Sequence, residues 1–115
     1  MTEQIPDQDY PSLNYFAVTG IVKRRKGINL TRQGIPVIHL FVENVAETWP
    51  GSGKTVKTEF QIDLWGNATS FLDSKLKVGS VILAEGRLAH KKTEDHTGGV
   101  HYHTVLHASR IEVIS

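Results

Sequence analysis

The string GSGKT at residues 51–55 has the composition of a phosphate-binding loop. A complete Walker A motif needs a further glycine five residues before its second glycine, and this chain has Thr48 there. The string also lies between two predicted strands, so no helix N-terminus follows it to complete a phosphate cradle. We therefore do not expect nucleotide hydrolysis.

Three histidines near the C-terminus, His101, His103 and His107, are separated by even numbers of residues, so they would lie on one face of a strand. Neutral imidazoles spaced in this way can bind a metal ion, but no carboxylate lies within the group. A polar sheet face is the simpler interpretation. Since no Ser-His-Asp spacing or pair of carboxylates suggests catalysis, we expect no enzyme activity, no metal and no cofactor.

The basic and aromatic side chains of this sequence are of the types that bind nucleic acid. Cations follow phosphates, and flat rings stack on exposed bases for about 1–3 kcal/mol per base with little sequence preference. The alternative for each ring is packing in the core or in an interface. The candidate residues for single-stranded DNA are Lys23, Arg24, Arg25, Lys26, Arg32, His39, Phe41, Trp49, Lys54, Lys57, Trp65, Lys91, Lys92 and Tyr102.

Charge is distributed unevenly along the 115 residues. Residues 1–13 carry a charge of −3 and the remainder +4, with five basic and no acidic residues between positions 21 and 34. A basic loop of this kind indicates a polyanion partner or, equally, a solvated surface. We expect one domain, residues 14–115, preceded by a flexible acidic arm, residues 1–13, in which Pro6 and Pro11 oppose regular structure.

Composition excludes several classes of protein. The absence of cysteine excludes a disulfide scaffold, a thiolate zinc site and a cysteine nucleophile. A hydrophobic content of 39% is too high for a disordered tail. No stretch is long and apolar enough to span a membrane and no secretion signal is visible, so we expect a cytoplasmic, nucleoid-associated protein.

The elements that must position these residues are mostly strands. Alternation places Ile38, Leu40 and Val42 on one face of the second strand, and Phe60, Ile62 and Leu64 on the core face of the third. Glu59, Gln61, Asp63 and Trp65 then face outward. Predicted strands cover residues 14–22, 35–45, 56–65, 80–89 and 100–114, a charged loop covers 23–34, a polar hairpin loop covers 90–99, and a helix covers 67–78.

Single residues mark the ends and bends of these elements. Asn67 is a plausible N-cap, Gly79 a helix stop and Gly86 a bulge. Five strands with one short helix between the third and the fourth predict an all-β OB-fold, a five-stranded Greek-key barrel. The pattern alone would also suit another small barrel.

Three stretches carry a resemblance to a known family. They are NYFAVTGIV with QGIPVIHLFVEN (14–22 and 33–44), TEFQIDLWGNA (58–68), and VGSVILAEGRLAHKKTEDHTGG with HYHTVLHASRIEVI (78–99 and 101–114). From Asn14 to Ser115 the chain resembles the bacterial single-stranded DNA-binding proteins (SSB) and their shorter relative, primosomal replication protein N (PriB).

The resemblance implies an OB barrel assembled as a homodimer or homotetramer. It implies that Trp65 stacks on bases, that Lys91 and Lys92 lie in a DNA-wrapping hairpin, and that Lys23–Lys26 lie between the first two strands. It would also expose Phe60, which alternation buries; strand register allows both only with a bulge.

The chain departs from the SSB pattern at several places, including a third strand one residue shorter than in typical SSBs and an acidic arm, residues 1–13, with no counterpart. Thr93 stands where SSBs often have a tryptophan. The sequence ends at Ser115 without the glycine- and glutamine-rich linker and acidic tail through which SSBs recruit partners. We therefore expect a PriB-like or accessory role, or a chain from which the tail was removed.

These observations together predict a sequence-nonspecific single-stranded DNA-binding protein acting in replication, repair or replication restart. Its expected partners are single-stranded DNA and replication or primosome proteins such as a helicase or SSB. The alternatives are an OB-fold module that binds another protein, or binding of RNA or oligosaccharide on the same face.

Overall fold

The computed structural model describes residues 10–115. The predicted acidic arm therefore lies largely outside the described residues; within it and just beyond, residues 10–15 carry no strand or helix. The elements are β1 (Phe16–Arg25), β2 (Asn29–Leu30), β3 (Pro36–Glu47), β4 (Thr55–Trp65), α1 (Ala68–Leu72), β5 (Val81–Glu94) and β6 (Val100–Val113).

Five long strands close into a barrel. The sheet order is β1-β5-β6-β4-β3-β2, and β1 also pairs with β3, which closes the ring. All pairings are antiparallel except that of β4 with β6. With α1 between the third and fourth long strands, this is the OB-fold, as the order of the predicted elements indicated.

The alternation of apolar residues sets which face of each strand enters the barrel. Ile38, Leu40 and Val42 of β3 are fully buried, as are Ile62 and Leu64 of β4. Phe60 is half-buried against this core. The alternation is therefore right for Phe60, and the exposed position that the resemblance implied is wrong.

Two strands run further than predicted. Arg24 and Arg25 belong to β1, not to the loop, because they pair with Phe41 and Leu40 of β3 after a register shift beyond Val22. β5 continues to Glu94, pairing with Val100 of β6. The polar sequence of this hairpin predicted a loop, but a ladder forms between its two arms, and only Asp95–Gly99 remain as the turn.

The helix is shorter than the predicted 67–78. Asn67 occupies the N-cap position but its side chain makes no capping hydrogen bond. Beyond Leu72 the chain continues as turns, and Leu76 still reaches the core. The Arg25 guanidinium donates to the carbonyl oxygens of Asp73 and Leu76 at 2.7 and 2.8 Å and pairs with the Asp73 carboxylate. These bonds pair the carbonyl oxygens of Asp73, the residue that caps α1, and of Leu76, in the turns that follow it.

Gly86 forms the predicted bulge. The register between β5 and β6 shifts between Glu85 and Gly86. A Cβ at this position would overlap the carbonyl oxygen of His107 and lie 2.9 Å from the Cα of Ala108. Only glycine therefore lets β5 approach β6 this closely.

Gly86→Ala should lower the free energy of unfolding by about 1–3 kcal/mol, because backbone atoms must move to admit the methyl group. Gly27→Ala is the matched control, since a Cβ there meets nothing within 4 Å. Urea titration of both variants provides the measurement. Equal stability of the two variants would contradict the close approach at Gly86.

Candidate nucleic-acid interface

An open groove of about 560 Å³ lies on the outer surface of the barrel. Its floor comes from three neighbouring strands, β3, β4 and β6, and its walls come from the segment around β2 and from β5. We call it the β3–β4–β6 groove. The lining residues that concern us are Asn29, Val37, His39, Asp63, Trp65, Lys91, Val105 and His107.

A row of polar residues crosses this floor. His39 pairs with Asp63 in the antiparallel β3–β4 ladder, and Asp63 pairs with His107 in the parallel β4–β6 ladder. Adjacent residues in register point to the same side of a sheet, so the three side chains share the outer face. The groove therefore offers hydrogen-bonding groups at its centre.

Asp63 lies on the outer face of β4, as alternation predicted, but its side chain is buried and not exposed to solvent. Only 3% of its surface is accessible. His39 Nδ1 lies 2.7 Å from Asp63 Oδ1, and Gln61 Nε2 donates to the same oxygen at 3.2 Å. Neighbouring strands on both sides and these two side chains enclose the carboxylate.

Trp65 is the last residue of β4 and remains 38% exposed. Its ring centroid lies 5.6 Å from that of His107, at an interplanar angle of 55°. Trp65 also lines a second groove of about 640 Å³, together with Tyr15, Arg87 and Ser109. The indole thus stands between two open surfaces, where it can contact a ligand that occupies either one.

His107 has a pKa below the ordinary histidine value. Partial burial is the main cause, the Arg87 guanidinium adds to it, and the Asp63 carboxylate opposes both. The imidazole beside Trp65 is therefore uncharged at neutral pH. The groove presents two flat, neutral rings in contact with one another.

Phe41 lies on the outer face of β3, but its ring is already covered. The Arg24 guanidinium carbon lies 4.1 Å from the ring centroid, and Arg24 Nη2 donates to Glu59 at 2.7 Å. A base can stack on this face of Phe41 only if Arg24 moves. Arg24 can contact a phosphate only in competition with Glu59.

The other predicted cations occupy different surroundings. Arg25 supports the chain after α1 through the three contacts described above, which commits its guanidinium to the fold. Lys23, Lys26 and Arg32 are exposed around the β1–β3 connection. On the β5–β6 hairpin, Lys91 pairs with His103 and Lys92 with Tyr102, so Lys91 and Lys92 point to opposite faces.

Trp49 and Lys54 lie in the β3–β4 loop, at the far end of the hairpin. The pair Glu47–Thr55 lies ten residue steps along the ladder from the pair Val37–Trp65, which is roughly 33 Å of strand. Trp49 is 63% exposed. Lys57 lies between the two ends on β4, with the same parity as Asp63 and Trp65. The structure therefore does not bring Trp49 and Lys54 to the groove.

The same loop accounts for the string GSGKT. The amides of Gly51 and Gly53 both donate to the Glu47 carboxylate at 3.1 Å, and the string leads from β3 into β4. These amides already bind an anionic group of the protein itself. The structure thus agrees with the expectation that the string is not a nucleotide-binding loop.

Sequence reasoning did not select Asp63, His107 and Asn29 as site residues. Alternation predicted that Asp63 faces outward, and His107 was considered only with His101 and His103 as a metal ligand. The pairing of Asp63 with His107 follows from the register of β4 and β6, which the sequence does not show. The β2 strand that brings in Asn29 carried no sequence signal. Within residues 10–115, no group of three or more His, Asp or Glu side chains could hold a metal ion. His101 instead contacts Asp95 at 2.9 Å.

The closed barrel with α1 between its third and fourth long strands is an OB-fold, an architecture whose members bind oligonucleotides or oligosaccharides. The profile of the single-strand binding protein family matches residues 13–114. The chain belongs to that family, whose members bind single-stranded DNA. No curated protein matches the chain. No helix of the described residues is long and apolar enough to cross a membrane.

His107 should make stability depend on pH in a predictable direction. Because its folded pKa lies below the unfolded value of about 6.5, the unfolded chain takes up the proton first as pH falls. The stabilisation by the neutral imidazole is thus present above pH of about 6.5 and is lost as pH falls toward the folded pKa. His107→Gln should reduce the fall in Tm between neutral and mildly acidic pH.

His96→Gln is the control, because His96 lies exposed in the hairpin turn. Thermal melts of the three proteins at both pH values give the comparison. A fall in Tm that is the same in His107→Gln and in the unsubstituted protein would show that His107 is not held neutral.

Proposed function

We propose that this protein binds single-stranded DNA along the outer face of the barrel, centred on the β3–β4–β6 groove. The observation that carries the proposal is an exposed Trp65 beside the His107 ring in an open groove on the OB-fold. Membership of the single-strand binding protein family supports it. Stacking on such rings accepts any base, which gives affinity with little sequence preference.

The outer face of β4 gives the bound strand a direction to follow. Lys57, Glu59, Gln61, Asp63 and Trp65 lie in a row on this face, with Glu59 paired to Arg24, and Phe41 lies next to the row on β3. The strand of 11 residues is about 36 Å long. We propose that bases occupy the groove and that the strand continues along β4 toward Trp49.

Phosphates would be held at the rim of this path. We assign this role to exposed cations and leave out Arg25, since its guanidinium is engaged with Asp73 and Leu76. Arg24 would act only by exchanging Glu59 for phosphate. The remaining assigned residues are Lys23, Lys26, Arg32, Lys54, Lys57, Lys91 and Lys92.

The cellular role we propose is the protection and presentation of single strands on the nucleoid during replication, repair or replication restart, without catalysis. A homodimer or homotetramer would provide a longer path for the strand than one barrel. A helicase or an SSB would be the protein to which the strand is handed.

Fluorescence anisotropy of a labelled oligo-dT tests the proposal. The oligonucleotide should exceed the roughly 4–16 nucleotides that one OB-fold covers. The titration is carried out at two salt concentrations. Unlabelled oligo-dT, duplex DNA and an RNA of matched sequence serve as competitors. We expect tight single-strand binding that weakens steeply with salt and is poorly competed by duplex.

Absence of binding at low salt would overturn the proposal and favour a protein ligand for the exposed face. Stronger competition by the matched RNA than by unlabelled oligo-dT would assign the groove to RNA.

Trp65→Ala should weaken single-strand binding by the value of one stacked base, about 1–3 kcal/mol, or roughly 5- to 150-fold in Kd. Phe71→Ala is the control, because Phe71 is an exposed aromatic residue on α1, outside both grooves. Anisotropy titrations of both variants give the comparison. An unchanged Kd for Trp65→Ala would remove Trp65 from the interface.

A further inference from the structure

A second groove of about 640 Å³ opens beside Trp65, between the segment that precedes β1 and the strands β5 and β6. We call it the β5–β6 bulge groove. It is lined by Tyr15, Trp65, Gly86, Arg87, Ala108 and Ser109. Since Trp65 also lines the β3–β4–β6 groove, a strand that stacks on the indole can continue from one groove into the other.

An irregularity in the β5–β6 ladder makes room for this groove. Glu85 pairs with Arg110, and Gly86 pairs with Ala108. One residue of β6, Ser109, is therefore left without a partner in β5. Gly86 and Ala108 leave space in the groove because neither has a side chain beyond Cβ. A β-bulge bends its strand and re-aims the side chains beside it, and bulges are frequent next to functional sites.

Tyr15 forms one wall of the groove and is held in place at two points. The side-chain amide of Asn14 donates to the carbonyl oxygen of Leu88 at 2.9 Å and accepts from the Leu88 backbone N–H at 2.7 Å. The Tyr15 hydroxyl donates to the Glu85 carboxylate, which also accepts from Arg110 at 2.5 Å. Tyr15 is nevertheless 57% exposed. A ring that is fixed and exposed before a ligand arrives lowers the ordering cost of stacking.

Arg87 supplies a positive charge that no carboxylate of residues 10–115 neutralises through an ion pair. Arg87 is exposed, and its one side-chain hydrogen-bond contact among these residues is to His107 Nδ1 at 3.5 Å, which is long for a hydrogen bond. Arg24 and Arg110, by contrast, are each paired with a glutamate. A free guanidinium can bind a phosphate through two parallel hydrogen bonds.

The charges that line the two grooves differ. The β3–β4–β6 groove contains the Asp63 carboxylate as well as Lys91, whereas Arg87 is the one charged residue among those described that line the β5–β6 bulge groove. Because a carboxylate repels phosphate, the bulge groove is the better place for a phosphate group. Its volume also lies within the range of roughly 300–1,000 Å³ that is usual for small-ligand sites.

Resting on the function proposed above, we propose that the bound strand crosses Trp65 and places a further nucleotide in the β5–β6 bulge groove. The base of this nucleotide stacks on Tyr15, and its phosphate pairs with Arg87. Trp65 then lies between two nucleotides, one in each groove, and the path of the strand extends beyond the end of β4. The sequence predicted neither Tyr15 nor Arg87 as a site residue.

Arg87→Gln should weaken the binding of oligo-dT about tenfold, because it removes a charged hydrogen-bond donor to phosphate. It should also reduce the slope of log affinity against log salt by about 0.7, the value of one phosphate contact on a single strand. Lys77→Gln is the charge-matched control, since Lys77 is exposed in the turns after α1 and lines neither groove. It should leave the slope unchanged. Anisotropy titrations over a series of salt concentrations give both quantities.

Tyr15→Leu should weaken the binding of oligo-dT about tenfold, because it removes the stacking surface for one base. Tyr15→Phe is the matched control: it keeps the ring and removes the hydrogen bond to Glu85, so it should retain most of the affinity. Thermal melts and light scattering of each variant report whether its fold and its oligomeric state are preserved.

Unchanged affinity in both Arg87→Gln and Tyr15→Leu, while Trp65→Ala still weakens binding, would overturn this inference and leave the proposed function standing. Equal losses of affinity in Tyr15→Phe and Tyr15→Leu would contradict stacking on the ring. A change of oligomeric state in Tyr15→Leu would assign the groove to a contact between copies of this chain and would also overturn the inference. Failure of the unsubstituted protein to bind any single strand would overturn the inference together with the proposed function.

Discussion

The pairing of β1 with both β5 and β3 is the constraint on which the rest of the structure depends. β1 pairs with β5 over Phe16–Ile21 and with β3 over Ile21–Arg25, with a register shift after Val22. Without the second pairing the six strands would form an open sheet with two free edges. Closure curves β3, β4 and β6 around a common core, and their outer faces then form the wall on which the groove lies.

Closure also explains where the polar residues are placed. A strand has a period of two, so a β4 that buries Ile62 and Leu64 must turn Asp63 and Trp65 outward. Register then brings His39 and His107 to either side of Asp63. One residue of slip would place the carboxylate in the apolar core. The lining of the groove thus follows from the same alternation that builds the barrel.

Much of the fold follows from the sequence, because apolar alternation, the order of strands and the bulge at Gly86 are local signals. The extended β5–β6 hairpin does not, since residues such as Lys91 and Lys92 have no intrinsic strand preference and pair only because β6 lies alongside. Arg25 was likewise predicted to contact phosphate, because the sequence shows only that it is a cation. The contact of its guanidinium with Asp73 depends on the fold and is not visible in the sequence.

The site was predictable in kind and less so in composition. Exposed aromatic rings and cations predicted a nucleic-acid ligand, and Trp65 lies on the outer face of β4, as alternation placed it; its contact with DNA stays a prediction. Asp63 could not be found in this way, because an acidic residue on an alternating strand suggests solvent exposure. The cost of burying it is apparent only when both neighbouring strands are in place.

Trp65 fluorescence tests the central claim most directly. The chain has two tryptophans, so Trp49→Phe leaves Trp65 as the only one. Titration of this variant with single-stranded DNA should quench or shift the Trp65 emission in a saturable way, added salt should reverse the change, and duplex DNA should produce little. Unchanged Trp65 emission, while anisotropy of a labelled strand shows that it is bound, would place the bound strand away from the β3–β4–β6 groove and contradict the account.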